Sequence, residues 1–445
     1  MTKQKQMQMA LQMVSGYGGE FSAWRMPGTD PAAYTNMDNY VERAKIAEKG
    51  KFQMIFIADT PALTVDLGPQ TPSFPMDPML ALMAVARETE HIGLVATHST
   101  TFNYPYNIAR QFKALDVISH GRVGWNAVTS STPAAAANFG MQVASRQERY
   151  AKAHESIQIV QALWGSWGED AYTLDAAGGE FADMEKIQPV NLQGQYYASR
   201  GPLPIPPSEQ GQPVLFQAGG GAEGLELAGK YASGVYANPY DIASAREHRQ
   251  ALRQSAARFG RNPDDIKMYA GFMFSIGATE EEGLERRRQL MSFNPEEIPS
   301  RVSYLGSMVG LRLSVNTIDI DQPLPADLLA RAFANPQDPR SPRALQLVKQ
   351  GLSIRDVLAH GVINYHPVVA GTAVQVADFL EEWFLAGATD GFSVVPDMAY
   401  DGVADFVEQV VPILQERGLF HKEYEGKTLR ENMGVPYQYG SIEDK

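Results

Sequence analysis

The sequence predicts an α/β protein built on a single (β/α)8 TIM barrel with insertions. Eight runs rich in β-branched and aromatic residues recur along the 445 residues, and amphipathic helical patterns follow most of them. Strands that alternate with helices are typical of a parallel sheet, and eight such units close into a barrel. A plain barrel takes roughly 250 residues, so the surplus should lie in insertions.

The predicted strands cover residues 9–14, 52–58, 92–97, 122–129, 213–219, 233–238, 267–276 and 391–397. The predicted helices cover residues 38–49, 78–89, 105–119, 147–164, 222–231, 240–259, 279–291 and 402–417. In the fourth of these helices, Ile157, Val160, Leu163 and Trp164 share one stripe, which is the spacing of a helix with one buried face.

Two segments interrupt the barrel pattern. Residues 165–212 are rich in Gly, Pro and polar residues and predict a long loop before strand five. Residues 292–371 have helical stretches of their own at 325–334, 341–351 and 353–359. We interpret residues 1–445 as one barrel domain in which 292–371 forms a lid or substrate-specificity region, because such insertions lie at the carboxyl face. A separate small domain is the alternative.

Composition excludes several classes of protein. With no cysteine, the chain can form neither disulfides nor cysteine-ligated metal sites. A formal net charge of −13 disfavours nucleic acid and anionic membranes as partners. No apolar run approaches the roughly 20 residues of a membrane span, and glutamines interrupt the N-terminus, so we expect a cytoplasmic protein without a secretory signal. HxH, HExxH and GxSxG motifs are missing, so no metal or serine-hydrolase site is expected.

Polar residues at the carboxyl ends of predicted strands are the first candidates for a site, because a TIM barrel places its ligands there. Asp59 follows strand two, Thr97 and His98 end strand three, and Asn126 lies in strand four. Asp59 could bind a ligand or cap the segment that follows. Asn126 offers both a donor and an acceptor. His98 could transfer a proton, line a pocket or be structural.

A glycine run after strand five, Gly219–Gly221, precedes a predicted helix. It would let the backbone approach a phosphate at the helix N-terminus, although the same run also makes an ordinary strand-to-helix turn. Arg146 and Tyr150 lie four residues apart on one helical face and could hold that phosphate from the other side. A solvated arginine and a packed tyrosine are the alternative for this pair.

Several segments resemble one family. They are GYGGEFSAWRMPG (16–28), AEKGKFQMIFIADT (47–60), HSTTFNYPYNIARQFKALDVISHGRVGWNAVTSS (98–131), RQERYAKAHE (146–155) and GQPVLFQAGGGAEGLELAGKYASGVY (211–236). Their order and wording resemble the flavin-dependent monooxygenases of the nitrilotriacetate, pristinamycin-synthase and dibenzothiophene-sulfone group, within the bacterial luciferase-like superfamily. The resemblance covers most of residues 7–240.

This resemblance implies FMN at the carboxyl mouth of the barrel. By position, the residues that would hold it are Asp59, Thr97 and Asn126 at the ring and ribityl part, and Arg146, Tyr150, Ala218, Gly219, Gly220 and Gly221 at the phosphate. The family commonly has His at the position of Arg146 and Ser at that of Gly221. These two departures put the individual phosphate contacts in question.

The implied function is that of a two-component monooxygenase. It would take FMNH2 from a separate NAD(P)H:flavin reductase, since no GxGxxG follows the first strand of this chain. Through a C4a-(hydro)peroxyflavin it would transfer oxygen from O2 to a small N- or S-containing substrate, and homodimers or homotetramers are expected. The alternatives are an F420-dependent oxidoreductase on the same barrel and a non-catalytic flavin-binding protein.

Overall fold

Eight parallel strands close into a barrel in the computed structural model, which describes residues 5–74 and 76–440. The described residues form β1 (Gln8–Gln12), β2 (Met54–Ile57), β3 (Gly93–Ser99), β4 (Val123–Val128), β5 (Leu192–Gln193), β6 (Ala198–Ser199), β7 (Val214–Gln217), β8 (Gly234–Ala237), β9 (Lys267–Ile276), β10 (Val368–Gly371) and β11 (Gly391–Pro396), of which β5, β6 and β10 lie outside the closed barrel. The barrel runs β1-β2-β3-β4-β7-β8-β9-β11, and β11 pairs with β1 to close it. The predicted fold class is confirmed, and all eight predicted strands form.

Helices cover the outside of the barrel and build the insertion. They are α1 (Met37–Lys49), α2 (Pro78–Glu88), α3 (Pro105–Ile118), α4 (Pro133–Asn138), α5 (Arg146–Trp164), α6 (Gly221–Tyr231), α7 (Ile242–Arg258), α8 (Glu280–Ser292), α9 (Ile298–Met308), α10 (Ala326–Leu329), α11 (Ser341–Lys349), α12 (Ile354–Ala359), α13 (Ala373–Leu385), α14 (Gly402–Asp405), α15 (Val411–Glu416) and α16 (Leu429–Met433). A π-helical turn at Phe406–Val410 joins α14 to α15. No helix of the described residues has the length and apolarity that a membrane crossing needs.

The structure differs from the prediction mainly inside 292–371. Helix α9 was not predicted, because Pro299 is typical of a turn, yet proline is tolerated in the first turn of a helix. The predicted helix 325–334 shortens to the single turn α10. The residues that follow α10 do not continue the helix, because the backbone N–H groups of Phe333 and Asn335 donate to the carbonyls at the end of α9. Strand β10, also not predicted, pairs with the second half of β9, where β8 has already ended.

The amino end of the barrel is closed by the C-terminal segment. Leu429 and Met433 of α16 pack with Met54 and Phe216 inside the barrel. The buried guanidinium of Arg430 donates to the carbonyls just before β7. Because this end is filled, the carboxyl ends of the strands form the mouth through which a ligand can reach the interior.

The insertion packs around a hydrophobic cluster of its own. Val302 and Leu305 of α9 belong to it, together with Leu347 of α11. The cluster also includes Leu284 and Met291 of α8, the helix that follows β9. Residues 292–371 therefore rest on a barrel helix, which brings them over the strand ends on that side of the mouth.

Candidate active site

A cleft of about 650 Å³ opens at the carboxyl ends of β2, β3, β4 and β7. This volume falls within the range of small-molecule sites. Of the nine predicted binding residues, the lining includes Asp59, Thr97, Asn126, Arg146, Tyr150, Ala218 and Gly220. Gly219 and Gly221 belong to the same loop as Gly220 but do not line the cleft.

Two polar side chains on neighbouring strands form the floor of this cleft. Thr97 of β3 is paired in register with Asn126 of β4, so both point to the same side of the sheet. The Asn126 side-chain amide donates to the Thr97 hydroxyl at 2.8 Å. The Asn126 Oδ1 atom is buried without a partner. Because an unsatisfied buried acceptor costs about 1–3 kcal/mol, this oxygen is suited to receive an N–H or O–H of a ligand.

Asp59 lies just beyond the end of β2. Burial, together with the nearby Asp77, raises the pKa of its carboxyl from 3.8 to about 6, against a backbone hydrogen bond from Thr60. Asp59 does not cap the next helix, because the N-cap of α2 is Asp77. A carboxyl that changes protonation near pH 6 is therefore exposed to whatever occupies the cleft.

The glycine loop leads directly into α6. Gly220 is the N-cap, and no side chain caps the helix. Gly221 has φ +80°, a left-handed conformation that favours glycine. The first N–H groups of α6 are consequently left to other partners, which is the arrangement of an anion site at a helix N-terminus.

Arg146 and Tyr150 of α5 both reach this loop. The Arg146 Nη2 atom donates to the Gly220 carbonyl at 3.1 Å and lies 3.0 Å from a carboxylate oxygen of Glu223. Tyr150 is buried, and a Cβ added to Gly219 would lie 3.2 Å from its hydroxyl. A Cβ added to Gly221 would collide with Arg146 Nη2. The two departures from the family pattern are thus coupled, since the arginine occupies space that a side chain at 221 would need.

Sequence reasoning missed Arg149, which also lines the cleft. Its Nη1 atom donates to the Ala144 carbonyl at 2.6 Å, and its Nε atom is buried without a partner. The available signal was its spacing, because a residue three positions after Arg146 shares the same face of α5. The cleft is therefore lined by two guanidinium groups, of which Arg146 contacts the glycine loop.

His98 is not among the residues that line the cleft. Its ring packs edge-on against Phe112 of α3, with the ring centroids 5.8 Å apart. Successive residues of a strand point to opposite faces, so Thr97 faces the interior and His98 faces the helices. This placement gives no support to a catalytic role for His98.

A second cavity of about 490 Å³ lies at the ends of β1, β9 and β11, in the other half of the barrel mouth. It shares four residues with the cleft, namely Gln12, Ala58, Tyr236 and Tyr365. The insertion supplies Glu297, Arg301 and residues 363–366 to its wall. The two spaces therefore adjoin across a boundary that is only a few side chains thick.

A hydrogen-bonded pair stands at this boundary. The Tyr236 hydroxyl lies 2.9 Å from His366 Nε2, and its ring stacks on Phe56 with the centroids 5.8 Å apart. Burial lowers the pKa of His366 to about 4, so the imidazole is neutral at pH 7. A Cβ on Gly271 would lie 2.5 Å from this ring, so the glycine in β9 makes room for it. Among the described residues, no group of three or more Asp, Glu or His could hold a metal ion.

Comparison with known proteins agrees with this geometry. The family model for the luciferase-like monooxygenases matches residues 19–390. The chain belongs to this family. It is 37% identical over 440 residues to N-acetyl-S-(2-succino)cysteine monooxygenase of Bacillus subtilis, which covers 98% of both chains. It is 35% identical to nitrilotriacetate monooxygenase component A of Aminobacter aminovorans and 35% identical to dibenzothiophene-sulfone monooxygenase of Rhodococcus erythropolis, each over 98% of both chains. The group expected from the sequence is confirmed.

Solved structures of relatives have the same fold as this chain. The EDTA monooxygenase of Chelativorans sp. BNC1 superposes with a TM-score of 0.80 and 31% identity, over 97% of this chain and 99% of that one. A riboflavin lyase structure with modified FMN and riboflavin gives 0.78 and 30%, over 97% of both chains. This luciferase-like protein is a flavin-dependent monooxygenase.

Proposed function

We propose that this monooxygenase is the oxygenase of a two-component system, which receives FMNH2 from a separate NAD(P)H:flavin reductase and oxygenates a small N- or S-containing molecule. One observation carries the proposal. Seven of the nine predicted flavin residues, from the ends of four strands and from helix α5, line one cleft, and a cavity of substrate size adjoins it. When bound, reduced FMN supplies two electrons to O2, so that one oxygen atom enters the substrate and the other leaves as water.

The polar groups of the cleft fit the two ends of FMN. Thr97 and Asn126, with the unpartnered Asn126 Oδ1, suit a ring or ribityl group that both donates and accepts hydrogen bonds. The uncapped start of α6 suits a phosphate, Arg146 adds positive charge beside it, and Arg149 lines the same cleft. The cleft therefore offers one set of groups for the anionic phosphate of FMN and another set for its neutral polar part.

The remaining residues would position the substrate and hold protons. Tyr236 borders both spaces, so when His366 donates from Nε2 to the phenol oxygen, the Tyr236 hydroxyl could donate to a group that lies between flavin and substrate. Asp59, with a pKa near 6, could accept or release a proton at the flavin side. The insertion forms a wall of the second cavity, and we infer that it keeps water from the reacting atoms.

The names of the relatives support a separate reductase. The nitrilotriacetate enzyme is named as one component of a larger system. A relative from Streptomyces pristinaespiralis, 32% identical to this chain over 433 residues, is likewise named as one of the subunits of pristinamycin IIA synthase. The named substrates of several relatives contain nitrogen or sulfur. Structures of F420-dependent enzymes match at 15% and 17% identity, which is a likeness of fold alone.

Anaerobic binding followed by oxygen tests the proposal. Purified protein is titrated with FMNH2 and, in parallel, with reduced F420, and oxygenated buffer is then added while flavin absorbance is recorded. We expect FMNH2 to bind and to be reoxidised at a rate that differs from that of free FMNH2. Binding of reduced F420 in its place, or reoxidation of FMNH2 at the same rate with and without the protein, would contradict the proposal.

The cytoplasmic location and the homodimer or homotetramer remain predictions. Light scattering coupled to size-exclusion chromatography measures the oligomeric state directly.

A further inference from the structure

The walls of the second cavity are mostly apolar. They include Val14, Phe21, Phe74, Met273, Ile363 and Val395. Tyr236 and His366 add polar atoms but no charge: the Tyr236 hydroxyl bonds His366 Nε2, His366 Nδ1 is buried without a partner, and the imidazole is neutral at pH 7. Charge enters the cavity only through Glu20, Glu297 and Arg301 among its described lining residues.

Each of these charges is already matched within the protein. Glu20 is 6% exposed and accepts hydrogen bonds at 2.8 Å from both Arg287 and Asn364. Burial alone would raise the pKa of Glu20, but Arg287 and Arg301 hold it below its ordinary value, so the carboxyl is ionised. Glu297 lies 2.9 Å from Arg301, whose guanidinium also lies 3.8 Å from Glu20.

This balance determines what the cavity can accept. Two carboxylates, Glu20 and Glu297, face two guanidinium groups, Arg287 and Arg301, so the cluster has no net charge. A substrate carboxylate would compete with Glu297 and Glu20 for Arg301, and it would lie beside two carboxylates of the protein. A substrate cation would find both carboxylates already bonded. Removing one partner of a buried ion pair is strongly unfavourable.

We propose that the second cavity binds a neutral, largely apolar substrate, such as an uncharged thioether, and discriminates against molecules that carry a carboxylate or an ammonium group near the reacting atom. The proposal rests on the proposed function, because it identifies the substrate class of the same site. It separates this chain from relatives whose named substrates are polycarboxylates, nitrilotriacetate among them.

A matched series of three probes tests whether the cavity binds a neutral molecule more tightly than an anion or a cation. Methyl phenyl sulfide is neutral, (phenylthio)acetate is anionic, and 2-(phenylthio)ethylamine is cationic at neutral pH, while all three share the phenylthio group. Their dissociation constants are measured by calorimetry on the full chain, with oxidised FMN bound and without FMN. We expect the neutral probe to bind on the order of tenfold tighter than either charged one.

Variants test the reason for the ranking. Glu297→Gln frees Arg301 for a substrate carboxylate, so it should lower the dissociation constant of (phenylthio)acetate by about tenfold and leave that of methyl phenyl sulfide unchanged. Glu296→Gln removes the same charge from the exposed neighbouring residue, which does not line the cavity, and should change neither constant. Ile363→Trp should fill the cavity and abolish binding of the neutral probe, whereas Ile118→Trp on the exposed face of α3 should not.

Several results would overturn the inference. They are a charged probe that binds as tightly as the neutral one, no binding of any probe, an anion affinity unchanged by Glu297→Gln, or neutral-probe binding that survives Ile363→Trp. Failure of FMN to bind would instead refute the proposed function, and the ranking on the flavin-free protein would still test the cavity.

Discussion

Replacing Arg146 by alanine should weaken the binding of FMN and leave the binding of riboflavin unchanged, because only FMN carries the phosphate. A hydrogen bond to a charged group contributes about 1.5–3 kcal/mol. Against this, the Arg146 side chain is 51% exposed and must give up part of its ion pair with Glu223, and exposed pairs are worth about 0–1 kcal/mol. The net loss is therefore about 1–2 kcal/mol, which corresponds to a roughly 5- to 30-fold higher Kd.

Quenching of flavin fluorescence measures both constants on the same protein. Arg110→Ala, on the exposed face of α3, removes an equal charge outside the cleft and serves as the control. Glu223→Gln should act in the opposite direction and tighten FMN, since it releases Arg146 and removes a carboxylate from the first turn of α6. An unchanged FMN constant in Arg146→Ala, or equal losses for FMN and riboflavin, would refute the assignment of the phosphate to this loop.

Three further changes probe other parts of the molecule. Asn126→Ala should weaken the binding of FMN and of riboflavin by a similar factor, about tenfold, because we propose that Asn126 faces the part common to both; a loss confined to FMN in the same titration would contradict this. The Asp59 carboxyl has a raised pKa in the folded state, so wild-type protein should lose stability relative to Asp59→Asn as the pH rises from 3.8 through about 6. Urea denaturation of the flavin-free proteins between pH 4 and pH 7 measures that difference, and a constant difference would disprove the shift. Asp397→Asn should lower the free energy of unfolding by about 3 kcal/mol, since Asp397 is fully buried and bonded to Arg286. Asp401→Asn, at a partly exposed site on the same arginine, should lower it by no more than about 1 kcal/mol, and equal losses in urea denaturation would contradict the burial argument.

The eight barrel strands could be predicted because each is a short apolar run bounded by turn residues. Lys267–Ile276 was predicted to the residue, since it is a long run rich in aromatic and other apolar residues. The insertion was harder, because its short helices depend on neighbours more than on periodicity. Helix α9 begins with a proline in its first turn, and α10 ends where the chain hydrogen-bonds to a distant carbonyl.

The residues of the candidate site likewise divide into those that could be predicted from the sequence and those that could not. Asp59, Thr97 and Asn126 could be predicted because a strand end in a TIM barrel is a functional position whatever the sequence around it. Of the roles left open for His98, the structure favours the structural one, because adjacent residues of a strand point to opposite faces and His98 packs against Phe112. Tyr236 was missed because nothing in a strand of apolar residues indicates that its hydroxyl borders two separate spaces.

By itself the sequence determined the barrel, the family and the end of the barrel where the cleft opens, because these depend on local periodicity and on residues close together along the chain. Only the tertiary structure decided which side chains from distant parts of the chain meet at the mouth of the barrel. It brought Arg146 into the space that Gly221 leaves free, and it set Arg301 of the insertion against Glu20 of the loop after β1. Those contacts join residues 75 and 281 positions apart. No local pattern encodes such pairings, since they arise only when the strands close and the insertion packs on α8.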